Sequence, residues 1–239
     1  MKLEKLLANV NVIGGNVPLS MEITEVVYDS RKVTPGCMFV AITGFATDGN
    51  KYIPMALEKG AAVVVTAKAQ AEEIPHIQVE NDRLALAQIG ANFYDHPGKA
   101  MQLIGVTGTN GKTSSTLLLK YVLEQVLGAK VGLMGTMENM IGHESIPTER
   151  TTPESFELQA LLAKMRDAGC THAIMEVSSH AIALDRVAGL QYTVAAFTNL
   201  TEDHLDFHKT MEDYCRTKQS CSAVAIRRLP TATMLGLLR

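Results

Sequence analysis

A glycine-rich run between an apolar stretch and a helical pattern carries the strongest chemical signal in this sequence. Residues 103–106 are apolar or small, as in a buried strand, and residues 114–127 have a helical pattern. A strand, a glycine turn and a helix N-terminus form a phosphate cradle, because backbone N–H groups and the helix dipole face the same anion. The predicted ATP-binding loop consists of Gly108, Thr109, Asn110, Gly111, Lys112, Thr113 and Ser114.

Lys112 and Thr113 give this loop its expected chemistry. The Lys112 ammonium group would place a positive charge on the β- and γ-phosphates, and the Thr113 hydroxyl would ligate Mg²⁺. The strict Walker A pattern requires a glycine five residues before Gly111, where this sequence has Val106. The loop is therefore a variant, and the alternative is a chance Gly-Lys-Thr in an ordinary turn between a strand and a helix.

Polar residues also follow two other predicted strands. Glu176 lies at the end of strand 173–177, where a carboxylate can reach Mg²⁺. Residues 198–201 lie at the end of strand 192–198 in the same way. Because ligands of parallel α/β sheets bind beyond the carboxyl ends of the strands, these segments and the loop predict a single active site. The alternative for Glu176 is a solvated or salt-bridged side chain.

His204 and His208 are four residues apart, a spacing that places two metal ligands on one face of a helix. Asp203 and Asp206 flank them, so a solvated polar loop is the alternative. Lys218 lies near the end of a predicted helix, where a solvated lysine is the usual case.

The elements around these residues predict two α/β domains. Residues 1–98 have the pattern of a small α/β unit, which includes a helix 83–93 capped by Asn81. Residues 96–98, His-Pro-Gly, then break the pattern, since Pro and Gly end helices and mark linkers. Residues 99–218 alternate strands with helices, which predicts a P-loop-type parallel sheet with helices on both faces.

Residues 219–239 differ from the rest of the chain. They contain three arginines and no acidic residue. They also have no clear period of 2 or 3.6. We expect an aberrant basic tail that does not continue the sheet, as a sequence that leaves its original reading frame would produce.

Bulk properties limit the class of protein. The chain has 239 residues and a net charge of −3, so no general nucleic-acid-binding surface is expected. No apolar run approaches the roughly 18 residues that span a bilayer, and the charged N-terminus is a poor signal peptide. The 4 cysteines have no Cys-x-x-Cys spacing, as in a protein with reduced thiols. We expect a cytoplasmic monomer without nucleic-acid or membrane partners.

Taken together, five segments resemble the ATP-dependent Mur ligases of peptidoglycan synthesis, over roughly residues 1–218. The similarity is strongest to the branch of the family that adds the third amino acid to a UDP-muramoyl-dipeptide. The segments are Asp29-Ser30-Arg31 with Gly36 and Phe39-Val40-Ala41, residues 108–113, Thr151-Thr152-Pro153, residues 176–180 and residues 199–208.

This resemblance implies a reaction and its machinery. ATP would phosphorylate a carboxylate of the UDP-N-acetylmuramoyl-dipeptide, and the amine of a diamino acid, meso-diaminopimelate or L-lysine, would displace phosphate through a tetrahedral intermediate. ATP and Mg²⁺ are the implied cofactors, and Lys112 and His204 the implied catalytic residues. The implied metal-site residues are Thr113, Glu176, His204 and Lys218, the last carrying a CO₂-derived carbamate. His208 receives no role.

The resemblance also implies substrate contacts, each with a simpler alternative. Ser30 would contact the uridine nucleotide, or it is only a turn or cap hydroxyl. Thr151 and Thr152 precede a predicted helix whose N-terminus can hold an anion, or they only cap that helix. Ser178 and Arg186 would hold the carboxylates of the dipeptide, or they are a buried hydroxyl and a surface arginine.

The resemblance implies three domains in a complete ligase of this family. We therefore expect this chain to end within an incomplete central domain and to lack catalytic activity. Other Mur ligases and folylpolyglutamate synthetase-like ligases share the phosphate loop and stay open as alternatives. A nucleotide-binding remnant without catalysis is a further alternative. The Asp-Ser-Arg and Thr-Thr-Pro segments favour the tripeptide-forming branch, and the choice between diaminopimelate and lysine stays open.

Overall fold

The computed structural model describes residues 1–44, 47–223 and 225–229, with the backbone alone from residue 222 onward. Its contacts divide the chain into two compact units, Met1–Asp95 and His96–Arg239. The division falls immediately before the His-Pro-Gly break in the sequence. In the described part of the chain, no helix is both long and apolar enough to cross a membrane.

The first unit is an α/β sheet domain. In chain order its elements are α1 (Leu3–Leu6), β1 (Val12–Gly15), β2 (Val26–Val27), β3 (Met38–Val40), α2 (Ile53–Glu58), β4 (Val63–Thr66), β5 (His76–Val79) and α3 (Asp82–Phe93). The strand order is β1-β5-β4-β3-β2, in which β1 is antiparallel to β5 and the other neighbours are parallel. Strands β3 and β4 are buried along their whole length, because both faces of a central parallel strand are covered.

The predicted cap of α3 is confirmed. The Asn81 side chain accepts hydrogen bonds from the backbone N–H groups of Arg83 and Leu84. This satisfies two of the four amide donors that lack a partner at the start of a helix. The helix begins at Asp82, one residue earlier than predicted.

The second unit contains a larger sheet. In chain order its elements are β6 (Gln102–Thr107), α4 (Lys112–Leu127), β7 (Val131–Met134), β8 (Asn139–Ile141), β9 (Glu144–Ile146), α5 (Ser155–Asp167), β10 (His172–Glu176), α6 (Ser179–Ala183), β11 (Tyr192–Phe197), α7 (Leu205–His208), α8 (Met211–Ala223) and β12 (Ala225–Leu229). The strand order is β12-β11-β6-β10-β7-β8-β9. The first five strands in this order are parallel, whereas β7, β8 and β9 pair antiparallel. The predicted α/β fold is confirmed.

Helices cover both faces of this sheet, as predicted. Leu103 and Ile104 are consecutive in β6 and therefore point to opposite faces. Leu103 belongs to a core cluster with residues of α5 and with Cys221 of α8, while Ile104 belongs to a second cluster that Leu119 and Leu123 of α4 pack against. The sheet thus places α4 on one face and α5 with α8 on the other.

The expected end of the sheet before residue 219 is wrong. Helix α8 continues to Ala223, and β12 pairs in parallel with β11, with Tyr192 opposite Ala225 and Ala196 opposite Leu229. The short run 225–229 has little strand signal of its own, so its pairing with β11 determines its conformation. Residues 224 and 230–239 of the predicted tail lie outside the described residues.

Candidate functional site

The predicted phosphate loop lies between β6, which ends at Thr107, and α4, which begins at Lys112. The first N–H groups of a helix have no acceptor within the helix, so they are available to an anion. Gly108 and Gly111 have φ angles of +137° and +83°, which favour glycine. The Lys112 ammonium group donates to the carbonyl oxygens of Gly108 and Thr109, at 3.0 and 2.8 Å.

The loop is fastened to the segment that follows β11, as the convergence of strand ends predicts. The Thr198 hydroxyl and the Asn199 amide donate to the Asn110 carbonyl oxygen, at 2.7 and 3.0 Å. The Asn110 N–H in turn donates to Asn199 Oδ1 at 3.0 Å. The Thr109 N–H donates to the Asn199 carbonyl at 2.9 Å. These bonds fix the backbone of the loop before any ligand is considered.

Glu176 lies at the carboxyl end of β10 and is 1% exposed. Its Oε2 accepts hydrogen bonds from the hydroxyls of Thr113 and Thr136, at 2.9 and 3.1 Å. Its Oε1 accepts from the Thr136 N–H at 2.9 Å. The carboxylate and the Thr113 hydroxyl therefore offer two oxygens beside the loop. Such a pair suits Mg²⁺, which takes few protein oxygens and keeps waters or phosphates as its other ligands.

The Thr151–Thr152 segment joins this carboxylate to Ser178. The Thr151 and Thr136 hydroxyl oxygens lie 3.0 Å apart, so Thr151 can donate to Thr136 while the single Thr136 hydroxyl proton goes to Glu176. The Thr152 hydroxyl donates to the Glu176 carbonyl at 2.8 Å and accepts from the Ser178 N–H at 3.1 Å. The two threonines thus contact residues at the carboxyl ends of β7 and β10.

Helix α5 begins at Ser155, and the Glu154 side chain accepts from the Ser155 N–H as its cap. The alternative that Thr151 and Thr152 cap this helix is therefore wrong, because their side chains bond across to other elements. The Ser178 hydroxyl accepts from the Ala181 N–H and so caps α6. Arg186 is mostly buried, with Nε 3.3 Å from Glu154 Oε2, so it is not a solvated surface arginine.

Lys218 is buried, at 1% exposure. The expectation that it is a solvated lysine near a helix end is therefore wrong. Its ammonium nitrogen donates to the Gly108 carbonyl at 2.8 Å and lies 4.7 Å from the centre of the Tyr214 ring. Burial, followed by the nearby charge of Lys112, lowers the pKa of Lys218 to about 7. Burial also lowers the pKa of Lys112.

His204 immediately precedes α7 and has a left-handed backbone, at φ +53°. Its Nε2 lies 3.5 Å from Asp203 Oδ2, and its ring centre lies 4.8 Å from His180 and 6.2 Å from Tyr214. His208 is buried against the Tyr214 ring, at 5.1 Å. Within the described residues, no group of three or more His, Cys, Asp or Glu side chains is placed to hold a metal ion.

Ser30 belongs to the first unit and is buried in a short 3₁₀ helix, Ser30–Lys32. Asp29 caps this turn by accepting from the Arg31 N–H, and the Lys59 ammonium group donates to the Ser30 carbonyl at 3.0 Å. The Arg31 guanidinium beside Asp29 lowers the pKa of that carboxyl group to about 2. The turn is therefore held by the contacts between Asp29 and Arg31 and by the Lys59 ammonium group.

The sequence analysis did not identify two residues of the site, Thr136 and Glu154. Thr136 follows β7 at the same sheet edge as Glu176, so its place after a strand is the signal that finds it. Glu154 follows Thr-Thr-Pro directly, but its burial against Arg186 depends on a contact 32 residues away along the chain. Sequence spacing gives no sign of such a pair.

Two families match the chain. The family described as "Mur ligase family, catalytic domain" matches residues 22–94, and the "Mur ligase middle domain" matches residues 106–222. A relative from Clostridium tetani (strain Massachusetts / E88), named UDP-N-acetylmuramoyl-L-alanyl-D-glutamate--2,6-diaminopimelate ligase, is 48% identical over 91% of this chain and 46% of its own length. A UDP-N-acetylmuramyl-tripeptide synthetase from Roseiflexus sp. (strain RS-1) is 47% identical over 91% of this chain and 44% of its own length. The chain thus spans about half the length of these curated relatives.

Solved structures share the fold. A UDP-N-acetylmuramoyl-L-alanyl-D-glutamate--2,6-diaminopimelate ligase matches with a TM-score of 0.79 at 24% identity, covering 100% of this chain and 49% of that chain. MurF ligase from Thermotoga maritima, in complex with ADP, matches with a TM-score of 0.59 at 22% identity, covering 90% of this chain and 47% of that chain. At these identities the likeness concerns the fold alone.

The two loop glycines provide a test of the loop geometry. A Cβ on Gly108 would lie 2.0 Å from Thr198 Oγ1, whereas a Cβ on Gly111 would meet nothing within 4 Å. Gly108→Ala should lower the free energy of unfolding by about 2 kcal/mol or more, because backbone strain and overpacking add. Gly111→Ala should cost only the strain of its positive φ, about 1 kcal/mol. Urea denaturation of both variants measures the difference, and equal effects would contradict the described contact.

Proposed function

Because the chain belongs to the Mur ligase family, we propose that it provides the nucleotide-binding parts of a ligase acting on UDP-N-acetylmuramoyl-L-alanyl-D-glutamate. In the proposed reaction, a substrate carboxylate takes the γ-phosphoryl group of ATP and becomes an acyl phosphate. The amine of a diamino acid then attacks the acyl carbon, and the C–O bond to phosphate breaks. The names of the Clostridium tetani and Roseiflexus relatives support the tripeptide-forming branch, and the first of these supports diaminopimelate as the amine.

The observation that carries this proposal is the set of groups around the Gly108 carbonyl. Lys112 and Lys218 both donate to this oxygen, and the loop leads directly into the N-terminus of α4. Two ammonium groups and a helix N-terminus attract a polyanion. We assign ATP phosphates to this loop, residues 108–114.

Thr113 and Glu176 would hold Mg²⁺ beside those phosphates. Their oxygens lie 2.9 Å apart and belong to the hard donors that this ion takes. When bound, Mg²⁺ neutralises charge that develops on the transferring phosphoryl group. Thr136 donates to both oxygens of Glu176 and so fixes the direction in which the carboxylate faces.

The substrate side of the proposal uses the Thr152–Ser178 pair and Arg186. The Arg186 guanidinium lies with Nη1 3.4 Å from the carbonyl of Thr152, whose hydroxyl accepts from the Ser178 N–H. A guanidinium binds carboxylates through parallel N–H groups, and the dipeptide ends in a glutamate with two carboxylates. We assign Ser30, in the first domain expected from the sequence (residues 1–98), to the uridine nucleotide. We assign the expected central domain, residues 99–218, to ATP.

We also assign a carbamate to Lys218. A lysine reacts with CO₂ only as the neutral amine, and lowering the Lys218 pKa to about 7 makes that form accessible near neutral pH. The nitrogen attacks the carbon of CO₂ and releases a proton to solvent. The resulting anion would provide oxygen donors for a second Mg²⁺, with His204 near the same Tyr214 ring.

Replacing Lys112 tests the phosphate assignment. Lys112→Ala should weaken ATP binding roughly ten- to hundredfold, because a charge-assisted hydrogen bond contributes about 1.5–3 kcal/mol. Lys130→Ala, which removes an exposed ammonium group of the same unit, should leave ATP affinity unchanged. Isothermal titration calorimetry with Mg-ATP makes the comparison. Equal affinities for Lys112→Ala and the unaltered chain would remove Lys112 from the site.

Replacing Ser30 tests the uridine-nucleotide assignment. Ser30→Ala should weaken binding of UDP-N-acetylmuramoyl-L-alanyl-D-glutamate roughly two- to tenfold, through the loss of one neutral hydrogen bond. ATP affinity should not change. Ser20→Ala is the matched control, since Ser20 is exposed in the same unit. A melting scan of Ser30→Ala separates lost binding from lost folding, and unchanged nucleotide affinity would contradict the assignment.

The carbamate predicts a specific pH dependence. The Lys218 pKa is lowered from 10.5 to about 7, so the neutral amine accumulates as the pH rises through about 7. A carbamate signal in ¹³C NMR with ¹³CO₂ should therefore be weak well below pH 7 and grow above it. Lys218→Met should abolish the signal, whereas Lys120→Met, which removes another buried lysine, should retain it. A signal that persists in Lys218→Met would assign the modification elsewhere.

A further inference from the structure

We propose that Glu154 is a positioning residue that orients the Arg186 guanidinium for a carboxylate-bearing substrate. This inference rests on the proposed function, because it concerns the group that would hold the dipeptide carboxylates. Glu154 is 4% exposed, and its Oε2 lies 3.3 Å from Arg186 Nε. A buried carboxylate is costly unless a cation pairs with it, so the pair constrains both side chains.

The position of Arg186 is determined from two directions. Glu154 Oε2 forms an ion pair with the guanidinium group, 3.3 Å from Nε, without a hydrogen bond at that nitrogen. The Thr152 carbonyl accepts from Nη1 at 3.4 Å. The Thr152 hydroxyl, in turn, accepts from the Ser178 N–H at 3.1 Å. Glu154 therefore links the threonine segment, Ser178 and Arg186, the three groups assigned to the substrate, into one connected arrangement.

The charge of Glu154 is separable from its role as a helix cap. Glu154 Oε1 accepts from the Ser155 N–H at 3.2 Å, while Oε2 faces Arg186. A glutamine has a carbonyl oxygen that can retain the cap, but it lacks the negative charge that pairs with the guanidinium. Arg150 is a weaker neighbour, with its Nη1 3.9 Å from the same Oε2. Glu154→Gln therefore tests the ion pair with little change in helix capping.

The short segment Thr151–Glu154 thus contains both substrate hydroxyls and the carboxylate that orients a distant cation. Glu154 has an extended backbone, with ψ 154°, immediately before α5 begins. Pro153 has a fixed φ and restricts Thr152 to extended conformations. The backbone therefore limits how far Thr152 and Glu154 can move relative to one another, which keeps their two contacts to Arg186 in register.

The test is calorimetric titration of the full chain with two ligands, UDP-N-acetylmuramoyl-L-alanyl-D-glutamate and UDP-N-acetylmuramoyl-L-alanine. The second ligand lacks the glutamate carboxylates. Glu154→Gln should weaken binding of the first ligand about tenfold or more and change the second less than about twofold. Arg186→Ala should have the same selectivity. The double variant should lose little more than either single variant, because the two residues act through one interaction.

Controls separate positioning from folding. Glu157→Gln, which alters an exposed carboxylate in the first turn of α5, should bind both ligands normally. Glu154→Gln should keep the ATP affinity of the unaltered chain and remain folded at the titration temperature, as a melting scan shows. Glu154→Asp, which keeps the charge, should recover part of the lost affinity.

Four outcomes would overturn the inference. Equal losses for both ligands would make Glu154 a structural cap alone, and additive losses in the double variant would remove the coupling. A selective loss in Arg186→Ala without one in Glu154→Gln would leave the arginine assignment standing and remove Glu154 from it. Failure of the unaltered chain to bind either ligand would instead refute the proposed function, and this inference with it.

Discussion

The Gly108 carbonyl oxygen is the acceptor on which the site depends, because the ammonium groups of Lys112 and Lys218 both donate to it. Two like charges that share one buried acceptor repel each other, and burial adds the cost of desolvation. Both effects lower the pKa of Lys218. An arrangement of this kind becomes more favourable when an anion enters, so the local electrostatics favour a negatively charged ligand.

The sheet explains how these groups meet. Strands β6, β10 and β11 are parallel neighbours, so their carboxyl ends place the phosphate loop, Glu176 and the segment from Thr198 side by side. The glycine at position 108 is required by this closeness, since any side chain there would meet the Thr198 hydroxyl. Close packing at a sheet edge thus determines both the loop conformation and the distance between the cations and the carboxylate.

The features that could be predicted from the sequence are those that depend on residues close together along the chain. The loop, the strand-end position of Glu176 and the Asn81 cap follow from spacing within a few residues, and the structure contains all three. Contacts between distant segments could not be predicted. Strand β12 has little intrinsic strand signal and forms through pairing with β11, and the burial of Lys218 depends on a loop 110 residues earlier. The roles assigned to ATP, Mg²⁺ and the dipeptide remain predictions, since they concern ligands rather than the fold.

The charge on the side chain of residue 218 determines whether that side chain repels or attracts the Lys112 ammonium group in the phosphate loop. With both lysines protonated, two positive charges face one carbonyl oxygen, and Glu176 is the carboxylate that raises the pKa of Lys112 most. Loss of the Lys218 proton removes the repulsion and leaves Lys112 as the cation beside the loop. A carbamate would go further, because an anion near the Lys112 ammonium group attracts it instead of repelling it. Lys112 would then be drawn towards its charged form, which is the form that binds phosphate. The proposed modification of one lysine would therefore strengthen the function of the other.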